Sequence, residues 1–401
     1  MDDGVSQKIC IYCNKKKYNS EFSLEHIWPD ALGGDLLGNF WKTNLVCKTC
    51  NNMSGVFVDG AFIKSLIISH ERGSDALDYL AGSQSTGTIP LSYLGFIQNI
   101  QVAKDEVIDF WVCTGANVLH IRPKGEEIWS SYAGGDPRNA SKGSKAGRVI
   151  ISLTSAEYFW VCTALRSVKQ HFPKAVQFVT NIDLPQNTTG FRYLNPNDTQ
   201  QADDLRIFRE FNTLCKNGDH IHSQFSINTH SDGRFLSKLA LGIGHNIFGR
   251  KFINESYANT LRASFREADA EKRYKLNVRG TGYFNGLDIS GFSDVLRWPG
   301  GWQITLRLLE KKLVLIVMTP TGEMMAIQIT DNPMLVDRLD SNYFEGFSWV
   351  VVPAVQKAVG PLSYPEYVAH MIGAESNAEL NGLECLRGDS SKLPPTGIQS
   401  A

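Results

Sequence analysis

The sequence contains no long hydrophobic run and no excess of charge of either sign. Its longest apolar stretches, such as KLVLIVM at 312–318, are far too short to span a bilayer. The first residues, MDDGVSQK, are polar and lack the hydrophobic core of a signal peptide, so we expect a soluble, cytoplasmic protein with no membrane partner. With 40 basic and 41 acidic residues, any attraction to a polyanion must come from the local placement of charge.

The eight cysteines are not expected to form a disulfide framework in a reducing compartment. Four of them stand in two Cys-x-x-Cys pairs, and four thiolates so arranged can close tetrahedrally on zinc. The metal then supplies folding energy that a small segment cannot gain from its own core. We therefore predict a structural zinc held by Cys10, Cys13, Cys47 and Cys50. The alternative is two unrelated pairs of buried thiols.

A closed four-sulfur site has no open coordination position, so any chemistry must come from neighbouring residues. The chain reads EHIWPDALGG at 25–34 and NLVCKTCNN at 44–52, and these segments contain Glu25, His26, Asn44 and Asn51. Together with CIYC at 10–13, they resemble the zinc-knuckle branch of the HNH, or ββα-metal, endonuclease superfamily. The resemblance covers about positions 8 to 60, roughly a seventh of the 401 residues.

The resemblance implies a role for each of these residues. Glu25 and Asn51 would hold a catalytic Mg²⁺ or Mn²⁺, His26 would be the general base, and Asn44 would brace the loop between the strands. DNA would be the substrate. Glu25 and His26 are consecutive on a strand, where side chains alternate between faces, so both can serve one site only if the strand is bulged or bent there.

The residue types also fit the chemistry. Hydrolysis of a phosphodiester at neutral pH needs an activated water, a cation that stabilises developing charge, and a rigid mount for both. Carboxylate and amide oxygens are ligands that suit Mg²⁺ or Mn²⁺. Each residue has a structural alternative: His26 as a satisfied structural histidine, Glu25 as the partner of a lysine, and Asn51 as a helix cap. Three functions therefore compete: a metal-dependent DNA endonuclease, a non-catalytic zinc module that binds nucleic acid or protein, and another metal-dependent hydrolase.

Two basic segments are candidate contacts for DNA phosphates. One follows the first cysteine pair and contains Lys15, Lys16 and Lys17. The other, PRNASKGSKAGR at 137–148, contains Lys142 and Lys145. For both segments an ordinary solvated loop is the alternative.

The whole chain is predicted to be α+β, with a small zinc-stabilised ββα-metal head followed by a larger mixed α/β body with an antiparallel sheet. Strand patterns such as WQITLRL, KLVLIVM, MMAIQIT and FSWVVV predict the sheet, and apolar residues at every fourth position from 235 to 247 predict a helix. The predicted divisions are the head at 1–80, a linker at 81–90, the body at 91–385 with a subdivision near 183–203, and a disordered tail at 386–401.

A small nuclease head on a large body resembles the layout of bacterial HNH proteins of anti-phage defence and mobile elements. By that analogy the body would respond to an activating small ligand or a partner protein. The sequence predicts neither the DNA sequence preference nor the oligomeric state.

Overall fold

The computed structural model describes residues 7–80, 88–124, 147–185, 189–225, 230–283 and 290–388, and within them the fold is α+β as predicted. The chain divides into two compact units: Met1–Ile63 with Thr229–Arg387, and Lys64–Asn228 with Gly388–Ala401. Neither residue 80 nor the segment 183–203 is a point of division. Most of the predicted linker and tail, 81–87 and 389–401, lie outside the described residues. No helix in the described ranges has the length and apolarity to cross a membrane.

The amino-terminal segment is built from two short hairpins and a helix. Strands β1 (Gln7–Ile9) and β2 (Lys16–Tyr18) pair antiparallel, and so do β3 (Phe22–His26) and β4 (Lys42–Cys47). Helix α1 (Lys48–Ser54) follows β4 directly and completes a ββα unit. The chain continues through a π-helical turn (Gly55–Asp59) and a short helix α2 (Gly60–Ile63). The connections between the strands contain 3₁₀ turns at Asn19–Glu21, Asp30–Leu32, Gly34–Leu36 and Asn39–Trp41.

The unit at 64–228 contains a mixed sheet of seven strands among its described residues. The strands are β5 (Ser92–Ile97), β6 (Glu106–Cys113), β7 (Ala116–Pro123), β8 (Arg148–Leu153), β9 (Gln177–Thr180), β10 (Arg192–Tyr193) and β11 (Ser223–Gln224), in the spatial order β10-β9-β8-β7-β6-β5-β11. Three longer helices accompany it: α3 (Leu66–Leu80), α4 (Tyr158–His171) and α5 (Ala202–Asn217), the last after a 3₁₀ turn at Thr199–Gln201. The pairs β8–β9 and β9–β10 are parallel and the others antiparallel.

The segment 230–387 contributes an antiparallel sheet to the other unit, as the strand patterns predict. Its strands are β12 (Gly280–Thr281), β13 (Trp302–Leu309), β14 (Lys312–Met318), β15 (Met324–Thr330), β16 (Phe347–Val352) and β17 (Lys357–Ser363), in the order β12-β15-β14-β13-β16-β17. The helices are α6 (Ser231–Phe248), α7 (Arg250–Ile253), α8 (Ser256–Arg266), α9 (Ala270–Tyr274), α10 (Ser290–Leu296), α11 (Pro333–Val336), α12 (Asn342–Glu345), α13 (Tyr364–Met371) and α14 (Ala378–Glu384), with a 3₁₀ turn at Pro353–Val355. Helix α6 is the one predicted from the four-residue repeat.

The amino-terminal segment shares its core with the segment 230–387. Trp28 is fully buried, and its ring makes edge contacts with Phe235 of α6 at 5.9 Å and with Trp302 of β13 at 5.7 Å between centroids. Phe62 stacks on the same Phe235 at 3.9 Å. Buried aromatic side chains contribute strongly to packing, so helix α6 fixes the position of the residues around Trp28.

Candidate functional site

The four paired cysteines meet at one point beside the ββα unit. Cys10 and Cys13 lie in the loop after β1, Cys47 ends β4, and Cys50 lies in α1. Their sulfur atoms are all within 4.8 Å of one another. A tetrahedral zinc with Zn–S bonds of about 2.3 Å places its sulfurs about 3.8 Å apart, so this cluster fits the ion. The predicted cysteine cluster is present and can hold zinc.

The cluster favours a thiolate at Cys10. A hydrogen bond from the Cys50 thiol lowers the pKa of Cys10 to about 5, and burial opposes this shift only in part. The backbone N–H of Cys47 also donates to the Cys10 sulfur at 3.3 Å. Zinc binds the thiolate form of cysteine, so these donors prepare the first of the four ligands.

Strand β3 is distorted where the two predicted catalytic residues stand. Its pairing with β4 shifts register between Ser23 and Glu25. After the shift, Glu25 is 3% exposed, whereas the His26 side chain is 18% exposed. The bulge that the resemblance required is therefore present, and Glu25 lies deeper in the protein than His26.

The Glu25 carboxylate is held by two donors. Its Oε1 accepts a hydrogen bond from the Tyr12 hydroxyl at 3.2 Å and lies 3.0 Å from Nζ of Lys238 on helix α6. The pairing with a lysine, which the sequence left open as a structural alternative, is thus present. The other oxygen, Oε2, makes no hydrogen bond or ion pair with the described residues.

Lys238 is fully buried, and its ammonium contacts three oxygen atoms. Besides Glu25, Nζ donates to Asp59 Oδ2 at 2.8 Å and to the backbone oxygen of His26 at 2.9 Å. Burial by itself would lower the pKa of Lys238, but the nearby carboxylates of Asp59 and Glu25 raise it above the usual range. Desolvation raises the pKa of Asp59 to about 6. The Lys238 ammonium opposes this rise only in part, because the Glu25 carboxylate shares the same ammonium and also raises the pKa. At neutral pH Lys238 is charged.

His26 lies between two carboxylates of the loop that follows β3. Nδ1 is 3.0 Å from Asp30 Oδ1, and Nε2 is 2.9 Å from Asp35 Oδ1, although neither contact has the geometry of a hydrogen bond. Lys42 Nζ contacts the same Asp35 oxygen at 3.3 Å. The ligand atoms of His26, Asp30 and Asp35 lie within 4.8 Å of one another, so they form a second group that can hold a cation.

Tight turns bring these two carboxylates to the imidazole. Gly33 has φ of +86°, a conformation that suits glycine, and a Cβ on Gly34 would come within 2.0 Å of the Trp28 carbonyl oxygen. The two glycines therefore allow the chain to reverse closely behind His26.

The side chain of Asn51 is hydrogen-bonded to strand β3, whereas that of Asn44 is exposed. Both contacts of Asn51 Nδ2 go to strand β3, at 3.0 Å to Ser23 Oγ and 2.8 Å to the oxygen of Leu24, and its Oδ1 has no partner among the described residues. Helix α1 begins at Lys48, with Cys47 at the N-cap, so Asn51 does not cap it. Asn44 is exposed on β4, and its side chain makes no hydrogen bond in the described part of the chain.

The first basic segment is on the surface of the hairpin β1–β2. Lys15 and Lys16 are exposed, while Lys17 pairs with Glu21 at 3.1 Å. That pair raises the pKa of Lys17 through the side-chain hydrogen bond. Lys142 and Lys145 lie outside the described residues. Of the five predicted phosphate contacts, the structure therefore shows two exposed lysines without an ion pair.

Three neighbours of His26 and Glu25, namely Asp30, Asp35 and Lys238, are not among the site residues predicted from the sequence. Asp30 and Asp35 stand four and nine residues after His26, and their carboxylates within EHIWPDALGGD are the signal that could have indicated them. Lys238 follows His26 by 212 residues and reaches it only through packing of helix α6. No spacing rule connects residues so far apart.

The ββα unit thus brings together four clustered cysteines, an imidazole at the irregular end of β3 and an amide side chain on α1. Residues 10–67 match the sequence model of the family described as HNH endonuclease, which confirms the predicted resemblance. The match indicates a nuclease domain in this part of the chain. No curated protein and no solved structure matches the chain.

Proposed function

We propose that this protein is a metal-dependent HNH endonuclease that hydrolyses DNA phosphodiester bonds. His26 is the general base, and Glu25 Oε2 and Asn51 Oδ1 hold a Mg²⁺ or Mn²⁺. The four cysteines hold a structural zinc that takes no part in the chemistry. The observation that carries the proposal is the imidazole of His26 on the bulged end of β3, flanked by a carboxylate on each ring nitrogen.

Each residue of the chain has a separate task in this proposal. Asp30, 3.0 Å from Nδ1, fixes the ring, and Nε2 receives the proton of the attacking water. Asp35 is 69% exposed and occupies the Nε2 side of the ring, so it must make room for that water when DNA binds. Asn51 is tied to β3 through Nδ2, which leaves its amide oxygen as the second proposed ligand of the cation. A hard divalent cation, when bound, stabilises negative charge on the phosphate and on the leaving oxygen.

Lys15 and Lys16 supply exposed positive charge near this segment, and we propose that they contact the DNA backbone. A role in bacterial defence against phage is proposed from the architecture, a small nuclease segment within a much larger chain. The rest of the chain would then receive the activating small ligand or partner protein.

The proposed cation position lies at Glu25 and Asn51, and the group of His26, Asp30 and Asp35 offers a second position. A Mg²⁺ titration of two variants distinguishes them. We expect Asn51→Ala to raise the Mg²⁺ concentration for half-maximal plasmid cleavage by about 10- to 100-fold, since it removes a ligand oxygen. Asp35→Asn is the matched variant, and it should leave this concentration within about twofold of wild type. Cleavage of supercoiled plasmid across a Mg²⁺ titration measures both.

The reverse pattern, with Asp35→Asn shifted and Asn51→Ala unchanged, would place the cation beside His26 and remove Asn51 from the metal site. A chain that cuts no plasmid with Mg²⁺ or Mn²⁺, with its zinc intact, would instead favour the non-catalytic zinc module.

A further inference from the structure

We propose that Lys238, on helix α6 and outside the matched segment 10–67, is a positioning residue that orients both Glu25 and His26 for the nuclease reaction. This inference rests on the proposed function. The evidence for this role is three contacts of the buried Lys238 ammonium. They are with Glu25 Oε1 at 3.0 Å, Asp59 Oδ2 at 2.8 Å and the His26 backbone oxygen at 2.9 Å.

The contacts act on two consecutive residues at the bulge of β3. An ammonium has three hydrogens to donate, and each has an acceptor here, so Nζ cannot rotate away without losing one of them. The contact to the His26 carbonyl fixes the backbone that carries the imidazole. The contact to Oε1 of Glu25, with that of the Tyr12 hydroxyl, leaves Oε2 without a partner among the described residues, and Oε2 is the oxygen proposed to bind the cation. Such outer contacts commonly orient metal-binding carboxylates.

The charge of Lys238 does not oppose a cation at Glu25, because Asp59 neutralises it at 2.8 Å. Asp59 lies on the π-helical turn Gly55–Asp59, so the turn after helix α1 carries the counter-ion. A single-turn π-bulge of this kind is often found at functional sites. The Lys238–Asp59 pair can therefore donate hydrogen bonds to the site while adding no net charge to it.

Helix α6 is held against this part of the chain at several points besides Lys238. Arg234 donates to the Phe57 oxygen at 3.0 Å, and Asn246 donates to the Phe40 oxygen at 2.7 Å. Gly242 lies so close to Ile27 that a Cβ would come within 2.7 Å of its side chain. The backbone of α6 is thus fixed independently of Lys238, so a change at Lys238 acts on the site more than on the packing.

The test compares two variants that differ only at Lys238. Removing Lys238 alone would leave two buried carboxylates without a counter-charge and would destabilise the fold. The double variant Lys238→Met with Asp59→Asn removes one charge of each sign, and Asp59→Asn alone is its reference. Lys251→Met, an exposed lysine on α7, controls for the loss of a lysine from this region. Plasmid cleavage, zinc content and thermal unfolding are measured for each.

We expect the double variant to keep its zinc and to remain folded at the assay temperature, although it should unfold below Asp59→Asn because Glu25 has lost its ammonium partner. Its cleavage rate at saturating Mg²⁺ should fall about 10- to 100-fold below the reference, and its half-saturating Mg²⁺ concentration should rise about tenfold. A purely structural lysine would not move the Mg²⁺ dependence of folded protein.

Equal rates and equal Mg²⁺ dependence in the double variant and Asp59→Asn would overturn the inference and leave the proposed nuclease intact. Loss of activity only in proportion to lost zinc or lost folded protein would also overturn it, because Lys238 would then be structural. Absence of cleavage by the wild-type chain would instead count against the proposed function.

Discussion

His26→Ala is expected to lower the rate of DNA cleavage by about 10²- to 10⁴-fold while leaving zinc content and folding unchanged, because it removes a general base. The side chain is 18% exposed and its described polar contacts are with two surface carboxylates, so thermal unfolding is measured beside activity to separate lost packing from lost catalysis. Plasmid nicking at saturating Mg²⁺ and zinc analysis by mass spectrometry measure the two effects separately.

The matched control is His222→Ala, which removes an exposed imidazole from the other compact unit. It should cleave plasmid at the wild-type rate. If His26→Ala protein nicked DNA as fast as wild type with its zinc unchanged, His26 would not be the base. The imidazole would then have the structural role that its contacts with Asp30 and Asp35 also allow.

Cys47→Ser is expected to release the zinc and unfold the segment 7–63. Structural zinc contributes about 10 to 16 kcal/mol in zinc-finger peptides, which is as large as the whole stability of an ordinary domain, about 5 to 15 kcal/mol. Cys47 joins β4 to helix α1, and its sulfur lies within 4.8 Å of the other three, so loss of this ligand affects both cysteine pairs. Hydrogen exchange should show the amides of β3 and β4 protected in wild type and unprotected in the variant.

Cys385→Ser replaces an exposed cysteine that is not part of the cluster, and it should keep both zinc and protection. A Cys47→Ser chain that remained stable and fully active would show that the four sulfurs are not a metal frame. Retained folding without activity would mean that packing of Trp28 against Phe235 and Trp302 is sufficient to hold the segment.

The local features of this site could be predicted because they are encoded by short spacings. Two Cys-x-x-Cys pairs fix a tetrahedral ligand set, and Glu25 and His26 within EHIWPDALGG identify a strand followed by a tight turn. The apolar strand patterns of β13 to β16 and the four-residue repeat of α6 similarly predict buried elements, and the structure buries them.

The long-range features could not be predicted in this way. The sequence suggests a separate head ending near residue 80, whereas the structure places helix α3 in the unit 64–228 and joins residues before 64 to those after 229. That arrangement depends on contacts such as Trp28 with Trp302, and such pairs leave no periodic pattern in one sequence. The burial of Glu25 against Lys238 is hidden for the same reason.

The structural zinc and the catalytic cation should respond differently when wild-type protein is treated with a chelator. Four thiolates should hold zinc through mild EDTA treatment and desalting, whereas a cation on two oxygen ligands should exchange freely. We therefore predict an inactive chain that still contains about one zinc per molecule, and Mg²⁺ or Mn²⁺ alone should restore plasmid cleavage. Activity that disappears and returns with zinc content, and not with Mg²⁺ or Mn²⁺, would contradict the account.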